Sequence, residues 1–335
     1  MQYATTREAA ARQLPWDAMG SALSTNATTV EAALKESGLD YQVETWDAHA
    51  ALRVEEDNTG GHGIVRPVVK APTHQAIVRP MPDGSKKVLA FTKKRYTPIQ
   101  NQEAFAPADY LVSEFGARIT GAADYRNGDR SLLAVQLPEG MDLKARDGVD
   151  RVDLNLLIIN DHAGNAALTL ALTPMRVACT NAIPAALRGA ERVWKISHTP
   201  KAQARLDLAA EAIKKALDYR DAFQEKAQAM LDQEMVDAEF SKLVAKLYPV
   251  KKDAEGVAAE RKRTLHADLL NLWKESPTLD GIRGTRWAGY NVFTEYLDHY
   301  RPVKGDTALG RAEGALEGPN VRAKDRVWRT FAMAV

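Results

Sequence analysis

Between Arg118 and Val177 the chain alternates apolar and polar residues in short runs, each closed by a turn signal. Arg118–Tyr125 and Ser131–Leu137 flank Arg126-Asn-Gly-Asp129. Asn-Gly is a favoured hairpin pair because both central residues of the tightest turn take positive φ. Val152–Ile159 and Ala166–Val177 flank Asn160-Asp-His-Ala-Gly-Asn165. In the second of these runs Leu168, Leu170 and Leu172 share one face while Thr169, Ala171 and Thr173 share the other, the period of a strand. A half-buried antiparallel sheet is the natural reading of this stretch.

Helical spacing surrounds it. Residues 1–38 read as helical, with Thr28 or Thr29 capping a short helix of Val30, Ala33 and Leu34 that stops at Gly38. Tyr41–Val54 reads as a strand, and Gln75–Arg79 and Val88–Thr92 as strands joined by Pro82-Asp-Gly-Ser85. Trp16 and Trp46 read as core or interface aromatics. A helix is expected from Asn101 to Glu114, stopped by Gly116, and another from Pro184 carrying Ala185, Leu187 and Arg188. Leu206, Ala209, Ile213, Ala216, Phe223, Ala227 and Met230 form one apolar seam of a long helix. Glu260–Trp273 and the aromatic run Gly284–Tyr300 make two more. Pro302–Asn320 reads as an arm or strap, with Trp328 and Phe331 able to anchor it. The expected class is α+β, an antiparallel sheet packed by helices with a helical C-terminal region. The segments are 1–57, a β-rich core over 58–200, a helical region over 201–300, and a C-terminal arm over 301–335.

Net charge is only +1, but the charges are segregated. Residues 1–57 carry ten acids and four bases, and 58–102 eight bases and one acid. Residues 176–205 carry six bases and one acid, and 207–239 nine acids and four bases. Separation of this kind makes local fields that the total conceals. Two basic blocks framed by acidic ones suit either a polyanion groove or docking on the acidic block of a second copy. The single Cys179 excludes an internal disulfide and sits in what reads as a buried strand end. The absence of a long apolar run or a secretion signal predicts a cytoplasmic protein with no membrane partner.

The chemistry concentrates in Phe91-Thr-Lys-Lys-Arg-Tyr-Thr-Pro-Ile-Gln-Asn-Gln-Glu-Ala-Phe105. It reads as a strand end, a cationic tripeptide, a turn at Pro98 and a helix start. Free N–H groups at a helix start and adjacent cations both favour a phosphate. The same three cations also suit a plain solvated strand end. No phosphate-cradling loop ending in Gly-Lys-Ser/Thr occurs, and no Gly-x-Ser-x-Gly elbow. The seven histidines form no i, i+4 pair. Asp150, Asp153 and Asp161 are the carboxylates that would have to converge for a magnesium-dependent nuclease, with Asp161-His162 and Asp298-His299 as further base or ligand candidates. No clear motif supports a cofactor.

Five stretches are jointly specific: Pro15-Trp-Asp-Ala-Met-Gly20, Arg95-Tyr-Thr-Pro-Ile-Gln-Asn-Gln-Glu-Ala-Phe105, Arg176-Val-Ala-Cys-Thr-Asn181, Ile196-Ser-His-Thr199, and Gly284-Thr-Arg-Trp-Ala-Gly-Tyr-Asn291 continuing to Glu295-Tyr-Leu-Asp-His299. With them the chain resembles the phage/plasmid-like protein family, a domain of unknown function, which implies a bacteriophage or mobile-element origin in a host bacterial cell. The order of helix, strands and helix also resembles, at the level of architecture, the core of single-strand annealing proteins, with one strand more than their three-stranded core. That resemblance implies an oligomeric ring or filament that binds and anneals single-stranded DNA without ATP, without a catalytic residue, for recombination. A phage exonuclease or a host single-strand binding protein would be its partner. The residues expected on the nucleic acid are Lys86, Lys87, Lys93, Lys94, Arg95, Tyr96, Arg176, Asn181, Arg188, Lys195, His198 and Arg205, with Tyr96 stacking a base. The alternatives are a metal-dependent nucleic-acid-processing enzyme and a structural or host-interaction protein.

Overall fold

The computed structural model describes residues 14–21, 23, 27–51, 68–126, 128–138, 140–183, 192–201, 216–250, 255–304 and 307–332. The α+β expectation holds, with antiparallel sheets, flanking helices and a helical C-terminal region. The main sheet contains β4 (Arg118–Tyr125), β5 (Arg130–Gln136), β6 (Met141–Ala145), β7 (Gly148–Asp161), β8 (Leu168–Arg176), β9 (Asn181–Ala182) and β10 (Val193–Ile196). Their order is β10-β8-β7-β5-β4, with β6 paired to the start of β7 and β9 to the end of β8.

Strand β7 shows why the sheet forms. Leu156 and Ile158 sit in register with Leu172 and Leu170 on one side and with Val135 and Leu133 on the other. These belong to the large core that the helices cover. The alternate residues Leu157 and Ile159 pair with Ala134 and Leu132 and face a second apolar layer containing Trp16 and Met19. The expected half-buried sheet is corrected: both faces are covered here, so Leu154–Ile159 is nearly continuous in apolar residues instead of alternating. Trp16, on α1 (Pro15–Ala18), approaches β4 so closely that a Cβ at Gly121 would lie 2.1 Å from the indole. Trp16 is therefore core, as expected; Trp46 is not.

A second, three-stranded sheet is formed by β1 (Glu44–Ala51), β2 (Val68–Pro80) and β3 (Lys86–Lys93), all antiparallel. Ile77 is on its buried face. Arg79 donates to Asp124 of β4 at 2.5 Å and lies 3.7 Å over the Tyr41 ring, which fastens this sheet to the main one.

Thr29 caps α2 (Val30–Ser37), its Oγ1 accepting from the Ala32 N–H at 3.1 Å, and Gly38 ends it at φ 67°. The helix expected over 101–114 is two, α3 (Asn101–Phe105) and α4 (Pro107–Phe115), because Pro107 has no N–H to continue the ladder. Farther on come α5 (Ala216–Leu231), α6 (Asp237–Leu247), α7 (Val257–Glu275), α8 (Arg286–Glu295) with a π turn at Tyr296–Tyr300, α9 (Ala308–Leu316) and α10 (Pro319–Ala332). The expected arm over 302–320 is mostly α9 and the entry to α10, and Trp328 and Phe331 anchor it as read. Trp328 stacks on Phe223 of α5 with centroids 5.2 Å apart. Phe223, Ala227 and Met230 of the expected seam are buried. The Leu206–Ile213 part of that seam and the helix expected from Pro184 lie outside the described residues. No helix among the described residues is long and apolar enough to cross a membrane.

Candidate nucleic-acid interface

Strand parity sorts the residues at the end of β3. Phe91 and Lys93 share the outer face, while Thr92 turns inward and is buried. The chain then bends, with the Tyr96 N–H donating to the Lys93 carbonyl at 2.9 Å. Gln75 of β2 donates to the Tyr96 carbonyl at 2.7 Å, and the Tyr96 hydroxyl donates to the Asp161 carbonyl at 2.9 Å. Gly164 of the β7–β8 turn, at φ 71°, packs against this bend. A Cβ there would lie 2.9 Å from Thr92 and 3.4 Å from Tyr96. The Thr97 N–H donates to the His198 carbonyl at 3.1 Å, and the rings of Tyr96 and His198 stack with centroids 4.9 Å apart. The segment that follows the first basic block thus meets the segment around His198 at this junction.

The junction frames a groove of about 770 Å³. His74, Phe91, Lys93 and Arg95 form one wall, and the 163–167 turn with Ser197–Thr199 forms the other. Among the described residues no carboxylate lines it. Lys93 and Arg95 are exposed and make no ion pair with a described residue. Lys94 instead leans on Asp47 at 3.7 Å, which also holds Lys70 at 2.5 Å. His198 is 6% exposed, and neither ring nitrogen has a hydrogen-bond partner among the described residues. Burial holds its pKa below the ordinary value, so at neutral pH the imidazole offers one donor and one acceptor. Burial likewise raises the Tyr96 hydroxyl above its ordinary range, so it remains a phenol.

Of the residues expected from sequence, the groove gathers Lys93, Arg95, Tyr96 and His198, with Lys94 beside it. Lys195 is exposed on β10, just before the groove-lining Ser197. Lys86 and Lys87 begin β3, roughly 24 and 20 Å from Lys93 at about 3.4 Å per residue. Lys86 pairs with Glu44 at 3.1 Å. Two expectations are corrected. Arg176 is 1% exposed, its Nε donating to both oxygens of Asp150 at 2.8 Å, and Asp150 also accepts from Trp287 Nε1 at 2.7 Å. It stands at the far end of β8 from the groove, roughly 27 Å away. Asn181 is buried between Thr294 and His299 at 3.1 and 2.9 Å. Both residues bind α8 and its π turn to the sheet and offer nothing to a phosphate. Arg188 and Arg205 lie outside the described residues.

Parts of the helix start and Tyr96 are also engaged within the fold. The Gln100 N–H donates to Glu103 at 3.2 Å, and Asn101 is buried, donating to the Leu39 carbonyl at 3.0 Å. Those groups serve the fold. One face of the Tyr96 ring is covered by His198, so the ring forms part of the groove floor. Sequence reasoning passed over Phe91 and His74; the available signal was the two-residue spacing that puts Phe91 on the same face as Lys93.

Asp150, Asp153 and Asp161 lie along one strand and are engaged separately. Asp153 accepts from Arg151 at 3.1 Å and Gln136 at 2.7 Å, and Asp161 accepts from Arg130 at 2.8 Å. Among the described residues no group of three His, Cys, Asp or Glu could hold a metal ion. His162 is buried beside Asn101 and Asn160, and burial drives its pKa down to about 3. Burial pushes the Cys179 thiol up to about 11, far from a reactive thiolate.

A larger cleft, about 1710 Å³, lies between α7, the π turn and α10. Its Tyr248 ring already carries Arg326 at 5.5 Å and packs on Phe293, its Arg301 donates to Asn320 at 2.5 Å, and Glu260 and Asp268 stand among its cations. For a polyanion the smaller groove, with no carboxylate among its described lining residues, is the better fit.

No curated protein and no solved structure gives a significant match to the chain. A family model described as a domain of unknown function, DUF932, matches residues 88–328, well over half of the chain and the named groove residues except His74. The chain belongs to the DUF932 family.

Proposed function

We propose that the protein binds single-stranded DNA and anneals complementary strands without ATP, as an oligomer serving a bacteriophage or other mobile element. The observation that carries this reading is the pair Lys93 and Arg95, exposed on a groove, with neither an ion-pair partner nor a lining carboxylate among the described residues. Phosphates attract such a pair by releasing counterions, and the attraction is indifferent to sequence. A strand held by its backbone keeps its base edges free for a complement, so annealing requires no bond-breaking residue and no cofactor.

Assembly follows from the same charge distribution. Asp218, Asp221, Glu225, Asp232 and Asp237 are exposed along α5 and α6. They would face the basic sheet of an adjacent protomer and build a ring or filament in the host cytoplasm. An exonuclease that exposes single strands, or a host protein that coats them, would be the natural partner.

Mixing two complementary oligonucleotides labelled with donor and acceptor dyes tests this reading. Pairing should accelerate with protein and without ATP or magnesium, and light scattering after size exclusion should show an oligomer that takes up the strand. Oligomers indifferent to DNA would instead support a structural role, and magnesium-dependent cleavage an enzyme.

A further inference from the structure

We propose that the outer face of the three-stranded sheet is a base-stacking platform for a single nucleic-acid strand, with Phe91 and Trp46 as its rings; this rests on the reading above. Phe91 is 65% exposed and Trp46 48%. Trp46 is in register with Ala76, and Ala76 with Phe91, so the three share one row and one face across β1, β2 and β3. Two strand spacings separate the rings' backbones, about 10 Å. Between them Ala76 is small and buried, which leaves a flat floor flanked by two aromatic side chains. Large rings exposed together on one sheet face are a recognition feature, unlike scattered surface apolar residues.

The charge on this face selects the occupant. Lys93 follows Phe91 by two residues on the same side, and Lys86 Nζ lies 5.9 Å from the centroid of the Trp46 ring. Cations therefore stand beyond each ring, as a strand with alternating phosphates and bases requires. Glu44 accepts from Trp46 Nε1 at 2.8 Å and pairs with Lys86, so the indole is held by its edge while its ring remains exposed. Phe91 and Lys93 also line the groove. A strand whose phosphates meet Lys93 and Arg95 thus runs directly onto Phe91 and then toward Trp46. An apolar protein partner would leave Lys93, exposed and without an ion-pair partner among the described residues, facing no counter-charge, and a single strand satisfies rings and cation together.

The test compares an oligothymidylate with an abasic oligonucleotide of equal phosphate number, by fluorescence anisotropy, on the full chain and on Phe91→Ala, Phe91→Leu and Trp46→Leu. The wild type should bind the oligothymidylate more tightly than the abasic strand. Each ring substitution should weaken oligothymidylate binding about tenfold, leave abasic binding unchanged and leave the salt slope unchanged. Wild-type affinity for oligothymidylate in all three variants, with binding still lost in Lys93→Ala/Arg95→Ala, would overturn the platform and spare the underlying reading. A wild type that binds neither oligonucleotide would overturn both. Ring variants that change only the oligomeric state would make this face a protein interface and overturn the platform. The substituted side chains are exposed, and matching thermal melts verify that the variants fold.

Discussion

The ring of Tyr96 lies on the imidazole of His198, with planes 21° apart and centroids separated by 4.9 Å. This contact joins the end of the small sheet to the segment that follows β10 in the main one. The hydroxyl of Tyr96 adds a hydrogen bond to the Asp161 carbonyl. Tyr96 is therefore a structural element of the groove. Tyr96→Phe should cost about 1 kcal/mol of stability and leave oligonucleotide affinity within twofold. Tyr96→Ala, which removes the stacked ring, should cost about 3 kcal/mol. Urea melts beside anisotropy titrations check this, and an unchanged melt for Tyr96→Ala would refute the structural assignment.

His162 gives the fold an acid sensitivity whose sign is fixed. The buried ring takes a proton only near pH 3, whereas its ordinary value is 6.5. Between those values the unfolded chain holds a proton that the folded one excludes. Stability from this group is therefore complete above pH 6.5 and is lost as pH falls toward 3. From pH 7 to pH 5 the loss is about 2 kcal/mol. His162→Gln should flatten that portion of the pH dependence in chemical denaturation, even where the substitution lowers stability throughout. An identical slope would assign the dependence to another group.

Lys324 is fully buried and donates to Asp298 at 2.7 and 3.0 Å, to the Ala182 carbonyl at 2.9 Å and to the Ala315 carbonyl at 2.8 Å. Burial pushes the Asp298 carboxyl up and the Lys324 ammonium down, and their mutual attraction opposes both shifts. Lys324→Met leaves the carboxyl buried without its cation and should cost about 3–5 kcal/mol. Adding Asp298→Leu should recover part of that loss, because the uncompensated group is gone. Guanidinium melts of the two variants measure it; a double variant less stable than the single one would contradict the account.

Local signals in the sequence carried most of the main sheet. Asn-Gly at the β4–β5 turn, the leucine alternation in β8, and the Thr29 and Gly38 caps each specify structure through neighbours in the chain. What escaped depends on distant partners. β6 and β10 are short strands, and β10 is fixed by pairing with β8. Pro107 divides a helix whose apolar spacing runs on unbroken. The site was legible where cations cluster in sequence, at Lys93–Arg95, and misleading where one cation's partner lies far away, as Asp150 does from Arg176. Whether a tryptophan is core or exposed is also a tertiary fact. Trp16 faces a glycine across β4, whereas Trp46 faces outward beside Ala76.

The salt dependence of binding to a single-stranded oligonucleotide tests the central claim most directly. Each phosphate neutralised contributes about 0.7 to the slope of log affinity against log salt concentration. The wild type should show a steep slope, and Lys93→Ala/Arg95→Ala should reduce it by roughly 1.4, two phosphates' worth. A double variant with the wild-type slope would show that the strand does not lie in this groove.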